Sequence, residues 1–208
     1  VLDEYCFRAC KSMKSITIPQ SVTRIADGVF DACEKLTDIY YGGTDASWKY
    51  ITSDTGLGNN VTIHSTGVFT GTCGDNLTWT IDNNEVLTIS GTGRIPDYNT
   101  SYGGNNRAPW DGYAYQIKKV VLGSGVQNIG NDAFARCYCM PDITIPDGVT
   151  SIGDNAFRGC SALTKVSIPS TVSSIGSGAF SYCGALREVE IPQGITSIQY
   201  GTFQNCTQ

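Results

Sequence analysis

Nine cysteines and a single histidine are the side chains of this 208-residue chain best suited to bridge, ligate a metal or attack a carbonyl. Most of the cysteines are locked to one spacing: Cys10 and Cys33 lie 23 residues apart, as do Cys137, Cys160, Cys183 and Cys206 in succession. If such segments stack as parallel strands, equivalent residues sit about 4.8 Å apart with parallel side chains. A disulfide needs Cβ atoms about 3.5–4.5 Å apart and converging. The repeated cysteine is therefore read as a small core hydrophobe, with Cys160 and Cys183 reduced and buried. The redox states of Cys6, Cys10, Cys73 and Cys139 stay open. Cys137-Tyr-Cys139 lacks the usual zinc spacing and has no histidine near it in sequence.

Any Ser/His or Cys/His pair must use His64, the only histidine. It follows a predicted strand Val61–Ile63, in a linker, with no activating partner identifiable, and reads as a solvated or capping residue. Gly91-Thr-Gly93 lacks the strand–helix context of a nucleotide loop and reads as turn glycines. The carboxylate pairs Asp27/Asp31 and Glu188/Glu190 fall at surface positions. No catalytic constellation assembles, and no cofactor or metal is implied.

Aromatics are in surplus over one short segment: Tyr98, Tyr102, Trp110, Tyr113 and Tyr115. They either cover the open edge of a neighbouring array or form a platform for a sugar or peptide.

The elements that position these residues follow from one phrase, I-x-I-P, then V-x-x-I-G, then A-F-x-x-C, repeated every 23 residues. Phe134, Phe157, Phe180 and Phe203 mark four copies in register, and Phe7 and Phe30 an earlier pair. In the coil from Leu163 to Leu186, Leu163, Val166 and Ile168 alternate with polar Lys165 and Ser167, the pattern of a strand with one buried face. Pro169 ends it, having no N–H for a ladder. Val172 and Ile175 point inward on the return side, and Gly176 is read as permitting the turn that follows. Ala179, Phe180 and Cys183 share one face of a short helical turn. Leu186, Val189, Ile191, Ile195 and Ile198 repeat the inward set. A single coil buries too little to offset the ordering of its own backbone, so coils must stack. A period of 23 lies in the leucine-rich-repeat range.

Phe30 and Phe134 are 104 residues apart, not a multiple of 23, so the register breaks between them. Residues 1–65 read as a first repeat block with its run-out, including a helical turn around Trp48. Residues 66–116 read as a β-rich inter-array or capping module. In it, Leu77–Ile81 and Val86–Ile89 alternate around Asp82-Asn-Asn-Glu85, a hairpin signal. Residues 117–208 read as a second block. Both ends fall within a repeat, which is expected of a piece of a longer array.

Net charge is −5, which argues against gripping nucleic-acid phosphates. Charged residues make up 16%, below the roughly 25% of typical soluble domains. The surface is thus mostly hydroxyl, amide and aromatic. No apolar run is long enough to span a membrane.

The repeat, closest at Ile143-Thr-Ile-Pro146 through Cys160 and Ile168-Pro169 through Cys183, resembles the BspA-like leucine-rich-repeat proteins of bacterial surfaces. Tyr40-Tyr-Gly-Gly-Thr-Asp-Ala-Ser-Trp48 resembles that family's run-out, and Gly71 to Trp79 with Ala108-Pro-Trp110 its inter-array module. Departures are Cys6 at an alanine position, Gly123 at a proline position and the extra Cys139. The resemblance implies a leucine-rich-repeat solenoid, with one parallel strand per 23-residue coil and short helical turns, interrupted by a β-rich module. It also implies a bacterial cell-surface or secreted location and adhesion to a host extracellular or microbial surface protein or glycan. The family motif defines no binding residues. The candidate ligand-binding face is therefore the set of outward strand residues: Lys119, Asp142, Thr144, Lys165, Ser167, Glu188 and Glu190. The alternative is a carbohydrate-binding module centred on 66–116 and its aromatics.

Overall fold

A computed structural model describes residues 1–52, 55–65, 67–100 and 105–208. The chain divides into two compact units, Val1–Phe69 and Thr70–Gln208.

The first unit carries three parallel strands, β1 (Ser15–Ile18), β2 (Asp38–Tyr41) and β3 (Thr62–Ser65), in that order across the sheet. Helix α1 (Asp45–Ile51) lies between β2 and β3, where Trp48 predicted a helical turn. Thr44 caps it, its Oγ1 accepting from the Ser47 backbone N–H at 3.1 Å. Ile16 pairs with Ile39, one period on, but Ile39 pairs with Ile63, because the coil containing α1 is one residue longer. Ile18, Val22, Ile25, Phe30, Leu36 and Ile39 form the core.

The second unit is built on β4 (Phe69–Cys73), which leads from one unit into the other, and the hairpin β5 (Leu77–Ile81) and β6 (Val86–Gly91). A short β7 (Gly93–Arg94) follows. The repeats then supply a long and a short strand per coil: β8 (Lys119–Leu122) with β9 (Val126–Asn128), β10 (Asp142–Thr144) with β11 (Ser151–Ile152), and β12 (Lys165–Ser167) with β13 (Ser174–Ile175). The last is β14 (Glu188–Val189). The long strands form one sheet, ordered β14-β12-β10-β8-β6-β5-β4. The hairpin joins it because β6 runs parallel to β8, Leu87 opposite Val120 and Ile89 opposite Leu122. The short strands add a return-side ladder, β11 with β13 and β7 with β9, to the one strand per coil that the repeat predicts.

Phe134, Phe157 and Phe180 are fully buried, as the repeat requires. Their rings stack at 5.5 and 5.2 Å between centroids, and Phe203 extends the column at 5.6 Å. Three expectations change. Gly176 does not take a left-handed turn; a Cβ there would sit 2.5 Å from the Asp154 nitrogen, so glycine serves close backbone stacking. Gly153 plays the same part, its Cβ position falling 2.6 Å from the Asn131 nitrogen. Ile191 and Ile198, read as inward positions, are exposed. His64 lies within β3, not after it.

Candidate functional site

The sheet of the second unit positions the predicted face. Period-2 alternation buries Val120, Ile143 and Val166 and turns Lys119, Asp142, Thr144, Lys165, Ser167, Glu188 and Glu190 outward, all seven exposed. Register then sorts them into columns. Asp142 stands opposite Lys165, and Lys165 opposite Glu188. Thr144 stands between Val121 and Ser167, which sets Lys119 at the head of the first column. That column reads Lys119, Asp142, Lys165, Glu188, alternating in sign. Opposite charges side by side on adjacent strands attract weakly. The second column reads Val121, Thr144, Ser167, Glu190. A depression of about 350 Å³ lies over Lys119, Val121, Asp142 and Thr144, and one of about 80 Å³ over Lys165, Ser167, Glu188 and Glu190.

Two members of the aromatic platform, Trp110 and Tyr98, lie in the core. Trp110 is 1% exposed: it stacks on Phe134 at 5.7 Å and meets Trp79 and Tyr98 edge-on. Its Nε1 donates to the Ala133 carbonyl at 2.8 Å. Trp110 thus heads the phenylalanine column and has no free face. Tyr98 is also buried, and burial, with the Cys73 thiol next in effect, pushes its phenol up from the usual range. Tyr113 and Tyr115 are half-buried, the Tyr115 hydroxyl accepting from Gln116 Nε2 at 2.6 Å. Tyr102 lies outside the described residues. A buried tryptophan offers no stacking surface to a sugar, so two of the four described members leave the candidate list.

The cysteines are placed for packing. Cys137, Cys160 and Cys183 are buried and unbridged. Burial pushes the Cys137 and Cys183 thiols up to about 12, so neither is a nucleophile near neutral pH.

Sequence reasoning missed the partner of His64. The ring Nε2 lies 2.7 Å from Asp38 Oδ1 and stacks on Tyr40 at 4.8 Å. That hydrogen bond, and then one from Thr37, hold the Asp38 carboxyl below the usual carboxylate range. The 24-residue step from Tyr40 to His64 was the available signal. The Thr37 hydroxyl joins the pair on its other side, donating to Asp38 Oδ2 at 2.7 Å, and all three residues lie at an exposed surface.

Comparison with known proteins now bears on this geometry. Residues 1–55 and 113–208 match the family model described as BspA type Leucine rich repeat region, in six copies. The chain belongs to that BspA-type family. Among curated proteins no match was found. A leucine-rich repeat protein from Eubacterium ventriosum ATCC 27560, known from its crystal structure, is 31% identical, with a TM-score of 0.56 over 66% of this chain and 36% of that one. Another from Bacteroides ovatus ATCC 8483 is 24% identical, with a TM-score of 0.48 over 99% of this chain and 43% of that one. A leucine rich cell surface protein from Faecalibacterium prausnitzii A2-165 is 23% identical, with a TM-score of 0.36 over 88% of this chain and 60% of that one. The BspA-type chain thus spans less than two thirds of the length of each. Among the described residues, no helix is long and apolar enough to cross a membrane.

Proposed function

We propose that this BspA-type chain is a non-catalytic interaction scaffold, cell-surface or secreted, which binds a host extracellular or microbial macromolecule through the sheet of its second unit. The observation that carries this reading is the outward row Lys119, Asp142, Lys165 and Glu188, held in register by the repeat. A partner with a complementary row of charges meets a rigid template there, and rim charges of this kind set specificity and encounter rate. Non-catalytic action is supported by the buried Cys137 and Cys183 thiols, held protonated, and by a sole histidine already engaged with Asp38. The alternative, a carbohydrate-binding module centred on 66–116, has lost Trp110 and Tyr98 to the core.

The experiment is a pull-down of host extracellular-matrix proteins on the recombinant chain. It is repeated with the double reversal Asp142→Lys/Lys165→Glu, which keeps net charge and breaks the pattern. Capture lost in the reversal supports the reading. Equal capture by both proteins sinks it.

A further inference from the structure

At the turn that follows each buried phenylalanine, the residue two places on takes a left-handed backbone: Arg136 (φ 67°), Gly159 (φ 76°), Tyr182 (φ 60°) and Asn205 (φ 59°) in four successive coils. The repeat geometry imposes this conformation whatever the residue. Only glycine takes it freely, and asparagine nearly so. The chain nevertheless places an arginine and a tyrosine there, on either side of a glycine. With no side chain at Gly159, the coils that flank it border a gap of about 320 Å³. Its walls are Arg136 and Tyr138 on one side, Arg158 and Tyr182 on the other, with Ser161 at the rim.

The charges around this cleft are unbalanced. Asp111 is shared by two guanidinium groups, accepting from Arg136 Nη2 at 2.8 Å and from Arg107 Nη1 at 2.7 Å. Asp132, close by, accepts from the Thr100 hydroxyl at 2.8 Å. Arg158 is exposed, lies over the Tyr182 ring at 5.5 Å, and has no acidic partner within ion-pair distance among the described residues. The ring holds the guanidinium in place while its N–H fork stays free, an arrangement suited to a bidentate carboxylate. This positive excess sits on a chain whose net charge is −5. Tyr138 and Tyr182 are 44% and 49% exposed, large aromatic surfaces that the packing of the coils does not use.

We infer that this cleft binds an acidic sugar, a pyranose bearing a carboxylate. Arg158 takes the carboxylate, the tyrosine walls take the apolar face of the ring, and Ser161 is placed for a ring hydroxyl. An aspartate or glutamate side chain would satisfy Arg158 but leave both tyrosine walls uncovered. The volume also lies at the small end of ligand sites, about 300–1,000 Å³, larger than a side-chain carboxylate needs. The cleft lies at the turns, apart from the outward strand columns, so it stands or falls independently of the sheet-face reading.

The test is an amide chemical-shift titration of the full chain with D-galacturonate, with D-galactose as the neutral control and a short glutamate-containing peptide as the carboxylate control. Saturable shifts centred on residues 136–138, 158–161 and 182 are expected with galacturonate alone. Arg158→Gln should weaken binding about tenfold or more, as the loss of a charge-assisted hydrogen bond does. Gly159→Asn should abolish it by filling the gap. Its Cβ would sit an ordinary 3.7 Å from Tyr138 Cε1, and Asn205 shows that the turn accepts asparagine. Lys35→Glu, an exposed position of the first unit, should bind like the parent. Equal binding of galactose, binding of the peptide in place of the sugar, absence of saturable shifts, or parental affinity in both cleft variants would each overturn the inference.

Discussion

The Cys183 thiol donates a 3.2 Å hydrogen bond to the carbonyl of Phe157, 26 residues earlier and one coil away. The same bond joins Cys160 to Phe134, Cys206 to Phe180 and Cys33 to Phe7, at 3.1–3.3 Å. The repeated cysteine therefore does more than fill space. It adds a second, inter-coil donor to a carbonyl that already accepts the backbone N–H of the cysteine three residues on in its own turn. A hydrophobe of similar size could pack there, but only a donor can close this bond.

Cys183→Ala should accordingly destabilise the second unit by about 1–3 kcal/mol, from a lost hydrogen bond and a small cavity. Urea unfolding followed by circular dichroism reads this directly. Iodoacetamide should leave Cys160 and Cys183 unmodified in the native protein and label both once it is denatured. A Cys160–Cys183 linked peptide would contradict the spacing argument.

Alkaline pH should unfold the chain before most hydroxyl or amide chemistry matters. Burial lifts the Cys137 and Cys183 thiols from 9.0 to about 12 in the folded state. Between those values the unfolded chain binds fewer protons than the folded one, so stability falls with rising pH. It is whole below about pH 9 and is lost progressively as pH climbs through 12. Melting temperatures measured from pH 8 to 11 should decline, and less steeply in a Cys137→Ala/Cys183→Ala double variant. Parallel declines in both proteins would exclude the thiols as the cause.

What the sequence made legible was whatever repeats with the period. Phe157 and Phe180 could be assigned to the core because A-F-x-x-C recurs in register, and the hairpin because Trp79, Ile81, Leu87 and Ile89 alternate. Trp110 was harder: it occupies a phenylalanine position 24 residues before Phe134, off the period, so Ala108-Pro-Trp110 marked the covering segment without showing that the indole heads the column. His64 was displaced in the same way by the longer coil that holds α1. The cleft at Gly159 was not legible at all. Its walls come from positions the repeat leaves variable, and only stacking brings Arg136, Arg158 and Tyr182 around one gap. Outward residues such as Lys165 are likewise free of the stacking constraint, so the repeat says where they point but not what they meet.

Gly176→Ala separates two reasons for a glycine. Were turn freedom the reason, the effect would follow from a left-handed φ, which Gly176 does not have. Its added Cβ would instead press to 2.5 Å from the Asp154 nitrogen, backbone against side chain. Overpacking of that kind costs about 1–3 kcal/mol. A thermal melt unchanged within error would show that the coils can separate locally at no cost.

Trp110→Ala should be the most damaging single change in the segment before the second array, at about 3–5 kcal/mol. Trp110→Phe should recover much of the loss, since a phenyl ring can continue the stack on Phe134. It would still leave the Ala133 carbonyl without its Nε1 donor, a residual cost of about 1 kcal/mol. Chemical denaturation of the three proteins under one buffer orders them. Equal stability of the alanine and phenylalanine variants would remove the column from the account.

The largest change to test is removal of residues 66–116 as a whole. Strand β6 gives β8 its ladder partner, with Gly123 N–H donating to the Ile89 carbonyl at 2.8 Å and Lys118 N–H to that of Glu85 at 3.0 Å. Without it, β8 becomes an open edge, with unpaired backbone groups ready to template association. Val120, Leu122, Val126, Ile129 and Phe134 would at the same time lose the cover of Leu87, Ile89, Ile95 and Trp110. Each of those side chains, re-exposed, costs about 1.5–3 kcal/mol. Several such losses together are as large as the margin by which small domains are stable, about 5–15 kcal/mol. Residues 117–208 alone should therefore aggregate or fail to fold, which size-exclusion chromatography with light scattering and a thermal melt would show. A monomer melting at the parent temperature would mean that the segment is no cover for the array. A ligand-binding role for its remaining accessible aromatics, Tyr113 and Tyr115, would then be the better reading.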